Sequence, residues 1–177
     1  MHSLLIAGSG GQGILFAGKL LAQAVMNEGR NVTWFPSYGA EVRGGTANCT
    51  VVISEGMIGS PVVRYPDTVV VMNEASLGRF QERPKKGGCV ILNSTMVKAR
   101  PGRGDMRVVE VPAGDIAMSL GAPLSANMVI TGAVARAESL CTLEGLKKAL
   151  EELSPKRGRV LEANMTALEK GWECIGD

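Results

Sequence analysis

Apolar residues follow two rhythms along this chain. Ser3–Ala7 is a short unbroken apolar run closed by Gly8, which predicts a buried first strand. From Ile14 the spacing becomes helical through Ile14, Ala17, Leu21, Ala24 and Val25, and Gly29 supplies the stop. Val32–Phe35 predicts a second strand ended by Pro36, and the polar, Gly-rich residues 36–46 read as a loop. Ala47–Ile53 alternates enough for a third strand, and Gly56, Gly59 and Pro61 frame a hairpin returning through Pro61–Val63. Thr68–Met72, the most β-branched run, predicts a central strand, followed by a short helix over Glu74–Phe80. Cys89–Leu92 and Arg107–Val111 predict two more strands, separated by the exposed basic loop 98–105. The last third turns helical: Ala113–Leu120, Ala126–Leu140, Leu143–Leu153 and Arg157–Trp172, with start and stop signals at Thr142, Gly145, Ser154 and Pro155. Strands alternating with helices, then a helical finish, predict an α/β fold. The expectation is a single three-layer α/β/α domain over residues 1–177, with a mostly parallel mixed sheet and a Rossmann-like first βα unit.

Composition narrows the chemistry. Glycine is the outlier, 23 of 177 residues, about twice the usual share. Aromatics are only 4%, which speaks against the stacking platforms of single-strand nucleic-acid binding. A net charge of +2 is too balanced for a DNA-binding footprint. No apolar run approaches a membrane span, and the N-terminal stretch is too short and glycine-rich for a signal peptide, so a cytoplasmic protein without membrane contact is expected. Cys49, Cys89, Cys141 and Cys174 contain no CxxC pair and fit neither a zinc site nor an iron–sulfur cluster; each reads as a reduced, buried, small apolar residue. The only histidine, His2, sits at a terminus expected to fray and is given no role. The nine methionines read as core filling, with a share at a subunit interface.

Two glycine loops carry the functional signal. Gly8-Ser9-Gly10-Gly11-Gln12-Gly13 fits GxGxxG between a predicted strand and a predicted helix. Glycines permit close backbone approach, and a helix N-terminus presents free N–H groups to an anion. A tight turn without a ligand uses the same residues. A Walker loop is excluded, because Ile14 and Leu15 follow Gly13 where Lys and Ser or Thr are required. An NAD site wants an acid at the end of the second strand, which here runs into Pro36 and Ser37; Glu28 is too early and Glu41 lies in the loop. Another pyrophosphate-containing cofactor suits the loop equally well. In the second loop, Ser37 and Thr46 offer hydroxyls, Arg43 a phosphate donor, and Gly44-Gly45 an open backbone; Tyr38 and Gly39 complete the candidate set. Loops at the carboxyl ends of parallel strands share one edge, so both could line one crevice. Asn73 and Asn93, each just after a predicted strand, read as helix caps. There is no GxSxG, no HExxH and no paired carboxylate couple. The site therefore looks like part of a larger enzyme.

GSGGQG at 8–13 followed by ILFAGKLLAQA, together with SYGAEVRGGTANC at 37–49, resembles the gamma subunit of 2-oxoacid:ferredoxin oxidoreductases, most closely the 2-oxoglutarate or branched-chain 2-oxoacid type. DTVVVMNEASLGRF at 67–80 and GAPLSANMVITGAVA at 121–135 extend the resemblance along the chain. It implies a subunit, inactive alone, of an enzyme that oxidatively decarboxylates a 2-oxoacid to the acyl-coenzyme A and reduces ferredoxin or flavodoxin. Thiamine diphosphate and magnesium would lie between alpha and beta subunits, and iron–sulfur clusters on the beta and a ferredoxin-like delta chain. In fused relatives the equivalent domain contributes to coenzyme A binding, which by position implies Gly8, Gly10, Gly11, Gln12, Gly13, Ser37, Tyr38, Gly39, Arg43, Gly44, Gly45 and Thr46. An isolated chain with orphaned interfaces could self-pair as a homodimer. A standalone nucleotide-dependent oxidoreductase and a purely structural docking subunit are the competing expectations.

Overall fold

The computed structural model describes residues 1–37, 46–154 and 158–176. Its strands are β1 (His2–Ser9), β2 (Asn31–Ser37), β3 (Thr46–Ser54), β4 (Thr68–Val71), β5 (Cys89–Asn93) and β6 (Arg107–Val111). Its helices are α1 (Ile14–Asn27), α2 (Glu74–Phe80), α3 (Ala113–Ser119), α4 (Ala126–Ala137), α5 (Leu143–Leu153) and α6 (Arg159–Glu173), with a 3-10 turn at Pro123–Ser125. The strands form one sheet in the order β2-β3-β1-β4-β5-β6. β1, β4, β5 and β6 pair in parallel, while β3 runs antiparallel to both its neighbours.

Side chains alternate between the two faces of the sheet, and each face has its own core. Leu4, Ile6, Cys49, Val51, Val70 and Ile91 pack under α1, α3, α4, α5 and α6. Leu5, Ala7, Val69, Val71, Val90 and Leu92 face the other way, against Leu77 and Phe80 of α2 and against Val97. The three layers are thus unequal, one face carrying most of the helical mass. On that face α4 and α6 cross with their backbones in contact. A Cβ on Gly132 would strike the Leu168 carbonyl, and one on Gly171 the Val129 carbonyl.

Four expectations need correction. The antiparallel hairpin is β2–β3, with Ser37 opposite Asn48, and residues 61–63 form no strand. β2 passes through Pro36 instead of ending there, because an edge strand needs its ladder on one side only. His2 is not frayed: it pairs with Ile53, and its Nε2 lies 3.4 Å from Glu138 Oε2. Arg107 also pairs with Glu138, and Lys85 with Asp67, so charged contacts line the edge where the parallel strands begin. Cys49, Cys89 and Cys141 are buried as expected, but Cys174 is exposed.

Candidate functional site at the carboxyl edge of the sheet

β1 runs through Gly8 to Ser9 before the chain turns, so Gly8 belongs to the strand, opposite Ala47. The turn is closed by Gln12 N donating to the Ser9 carbonyl at 3.2 Å. Gln12 also folds its side chain back. Its Oε1 accepts from Ser9 N at 2.7 Å and from Asn73 Nδ2 at 2.9 Å. Asn73 in turn donates to Ser9 Oγ at 2.6 Å, while its own Oδ1 caps α2 by accepting from Ser76 N at 2.9 Å. Gln12 therefore holds the loop to the end of β4.

Gly13 completes the turn at φ 70°, in the left-handed region that favours glycine. A Cβ there would also collide with Asn127, whose Nδ2 donates to the Gly13 carbonyl at 3.4 Å. With Gly13 as the residue before α1, no side chain caps that helix and its first turn holds no acid. The N–H groups of Ile14, Leu15 and Phe16 find no acceptor among the described residues; the first backbone bond is Ala17 N to the Gly13 carbonyl, 3.0 Å. Free N–H groups and the helix dipole both favour an anion here.

These groups open onto a cavity of about 350 Å³ lined by Ser9, Gly10, Gly11, Gly13, Ile14, Leu15, Phe16, Ser37 and Ala47. The glycine loop and the end of β2 do share one crevice, as the strand directions demand: β2 runs parallel in sense to β1 across the intervening β3. Thr46 lies at the start of β3, and its hydroxyl accepts from Arg79 of α2 at 2.6 Å. Tyr38, Gly39, Arg43, Gly44 and Gly45 lie outside the described residues. Sequence reading missed Asn127 and Arg79 and saw only half of the Asn73 role. Their partners are 114, 33 and 61 residues away, and no local pattern marks such contacts.

The separation of β2 from β1 by β3 also removes the neighbour that carries the ribose-binding acid in a dinucleotide fold. Cysteine nucleophiles are not offered by the core: burial pushes the Cys49, Cys89 and Cys141 thiols up to about 12 and keeps them protonated. Among the described residues no group of His, Cys, Asp or Glu is arranged to hold a metal, and no helix is long and apolar enough to cross a membrane. A larger cavity, about 620 Å³, lies by the other end of β2 and includes Glu28, Arg30, Arg136 and Trp172. Its charges have structural work. Glu28 accepts from Thr142 N and Oγ1 at 2.7 and 2.8 Å, Arg30 donates to the Leu140 carbonyl, and Arg136 stacks 5.5 Å from the centre of the Trp172 ring.

Comparison with known proteins matches residues 3–174 to the family described as pyruvate ferredoxin/flavodoxin oxidoreductase. The ketoisovalerate oxidoreductase subunit VorA of Methanothermobacter thermautotrophicus is 41% identical over 170 residues, which are 95% of this chain and 35% of that protein. This chain thus spans about a third of the length of the first curated relatives it matches. Among solved structures, the keto/oxoacid ferredoxin oxidoreductase gamma subunit of Geobacter sulfurreducens superposes with a TM-score of 0.85 at 26% identity, covering 98% of this chain and 97% of its own. A 2-oxoglutarate:ferredoxin oxidoreductase of Magnetococcus marinus, solved with 2-oxoglutarate, coenzyme A and succinyl-CoA bound, shares the fold with a TM-score of 0.88. There the identity is 24%, with 99% of this chain and 31% of that one covered.

Proposed function

The chain belongs to the pyruvate ferredoxin/flavodoxin oxidoreductase family, and from that premise we propose that it works as the gamma subunit of a multi-subunit 2-oxoacid:ferredoxin oxidoreductase and supplies part of the coenzyme A site. The observation that carries this reading is the uncapped, acid-free N-terminus of α1 opening onto the crevice that Ser37 borders. A pyrophosphate needs N–H donors, a backbone it can approach and no carboxylate nearby. The Gly10-Gly11 backbone and the N–H groups of Ile14 and Leu15 meet those needs. Residues 38–45 join Ser37, which lines the same crevice, to Thr46, and carry one cation, Arg43, and one acid, Glu41.

In this reading the substrate is a 2-oxoacid of the 2-oxoglutarate or branched-chain class. Thiamine diphosphate, magnesium and iron–sulfur clusters belong to alpha, beta and ferredoxin-like delta partners, and the gamma chain does not turn over alone. The test is viologen-linked oxidation of the 2-oxoacid with coenzyme A, run with the chain alone and with the assembly it purifies with. Activity is expected only in the assembly; a robust rate from the lone chain overturns the subunit reading. Arg43→Ala in the assembly removes one charge-assisted contact. It should raise KM for coenzyme A roughly 10- to 100-fold and leave KM for the oxoacid nearly unchanged. Unchanged coenzyme A kinetics with weakened assembly would instead make the second loop a docking element.

A further inference from the structure

Gly11 stands between two cavities. One is the phosphate crevice; the other, about 290 Å³, lies on the far side of the loop and is lined by Met72, Met96, Met118, Leu124, Asn93 and Asn127, among others. Resting on the coenzyme A reading above, we propose that this second groove seats the pantetheine arm.

Its walls are thioethers and a leucine, deformable and apolar, and no charged residue lines it. Met118 and Leu124 stand 69% and 93% exposed, an apolar rim of the kind that marks a binding surface. Gln12, Asn93, Asn127 and the Thr95 hydroxyl interrupt that apolar lining; Gln12 and Thr95 are engaged within the protein, and, among the described residues, the other two carboxamides keep free groups. Asn93, only 1% exposed at the end of β5, accepts from Gly114 N through Oδ1 at 3.4 Å. With the amide turned that way, Nδ2 has no acceptor among the described residues. Asn127 spends its Nδ2 on the Gly13 carbonyl, which leaves Oδ1 as an acceptor with no donor among the described residues.

A hydrocarbon in this groove would strand the Asn93 donor, and a charged ligand would meet no countercharge. A neutral chain of methylenes broken by amides satisfies both the walls and the two carboxamides. Pantetheine is such a chain. Gly11 lines both cavities, and an added Cβ there would meet nothing within 4 Å, so no side chain crowds the point where the two meet.

The test is calorimetric titration of the full chain with coenzyme A and with 3′-phospho-ADP, which keeps the nucleotide and lacks the arm. Asn93→Leu keeps the side chain's shape and removes the donor together with the long Gly114 contact, and a thermal melt checks that the variant folds. Met118→Glu alters an exposed position and spares the core. Each is expected to weaken coenzyme A binding about 3- to 20-fold and leave 3′-phospho-ADP binding unchanged. If the wild-type chain binds both ligands alike and neither variant separates them, the arm lies elsewhere and the groove proposal is overturned while the phosphate site stands. If neither ligand binds, the coenzyme A reading falls and takes the proposal with it. If Met118→Glu weakens subunit assembly and leaves coenzyme A binding untouched, the groove is a protein-docking face and the proposal is overturned.

Discussion

Replacing Gln12 with glutamate separates the loop's shape from its charge. The Gln12 side chain is an acceptor twice over, from Ser9 N at 2.7 Å and Asn73 Nδ2 at 2.9 Å. A carboxylate keeps both bonds. It gives up only the long 3.5 Å contact from Nε2 to the Met72 carbonyl, so stability should fall by no more than about 1 kcal/mol. For a chain of this size that is roughly 2–4 °C in Tm. Binding is another matter. A unit charge about 6 Å from a phosphate costs about 0.7 kcal/mol if fully water-screened and about 3 kcal/mol at the dielectric of a protein surface. The expected loss of coenzyme A affinity is therefore about 3- to 100-fold, smaller at high salt. Gln12→Ala should show the reverse order: a larger loss of Tm, from the released loop, without charge repulsion. Calorimetric titration alongside thermal melts reads both quantities. An unchanged Kd for Gln12→Glu at unchanged Tm would mean that no phosphate approaches this loop.

Three other positions yield sharp expectations. Gly171→Ala pushes a methyl into the Val129 carbonyl at the α4–α6 crossing and should cost about 1–3 kcal/mol, whereas Gly78→Ala, exposed in α2 with nothing within 4 Å of the added carbon, should stabilise by up to about 1 kcal/mol; thermal melts of the two variants should move in opposite directions. Burial alone would raise the Asp67 pKa, but Lys85 and the Ser3 N–H and hydroxyl outweigh it and hold the carboxyl below its usual value of 3.8. Its contribution is therefore present above about pH 4 and lost as pH falls through the lowered value, so Asp67→Asn should be less stable than wild type at neutral pH and the gap should close in acid; a gap that widens on acidification would contradict this.

Local pattern made the β1–loop–α1 unit legible, because its signals are contiguous: an apolar run, a glycine turn, then helical spacing from Ile14. α2 and α5 were legible for the same reason, each opened by a capping residue, Asn73 or Thr142, within three residues of its partner N–H. The hairpin escapes a local reading because its strands are joined through residues 38–45, a Gly-rich stretch that reads equally as a candidate binding loop. Pro36 looked like a strand end because edge position is a property of the sheet order, which no local window contains. Strand direction alone brings the glycine loop and the end of β2 to one crevice. What tightens the site, Asn127 on Gly13 and Asn73 on Gln12, depends on helices and strands far apart in the chain.

The central claim is that the crevice at the start of α1 takes coenzyme A and not a dinucleotide. The most direct measurement is the Tm of the 177-residue chain titrated with each. A ligand that binds only the folded chain adds about 2.7 kcal/mol at one hundred times its Kd. For a protein of this size that is a rise of roughly 5–11 °C. The account predicts that rise with coenzyme A and a flat response to NAD. A rise with NAD, or no response to coenzyme A at millimolar concentration, would contradict it.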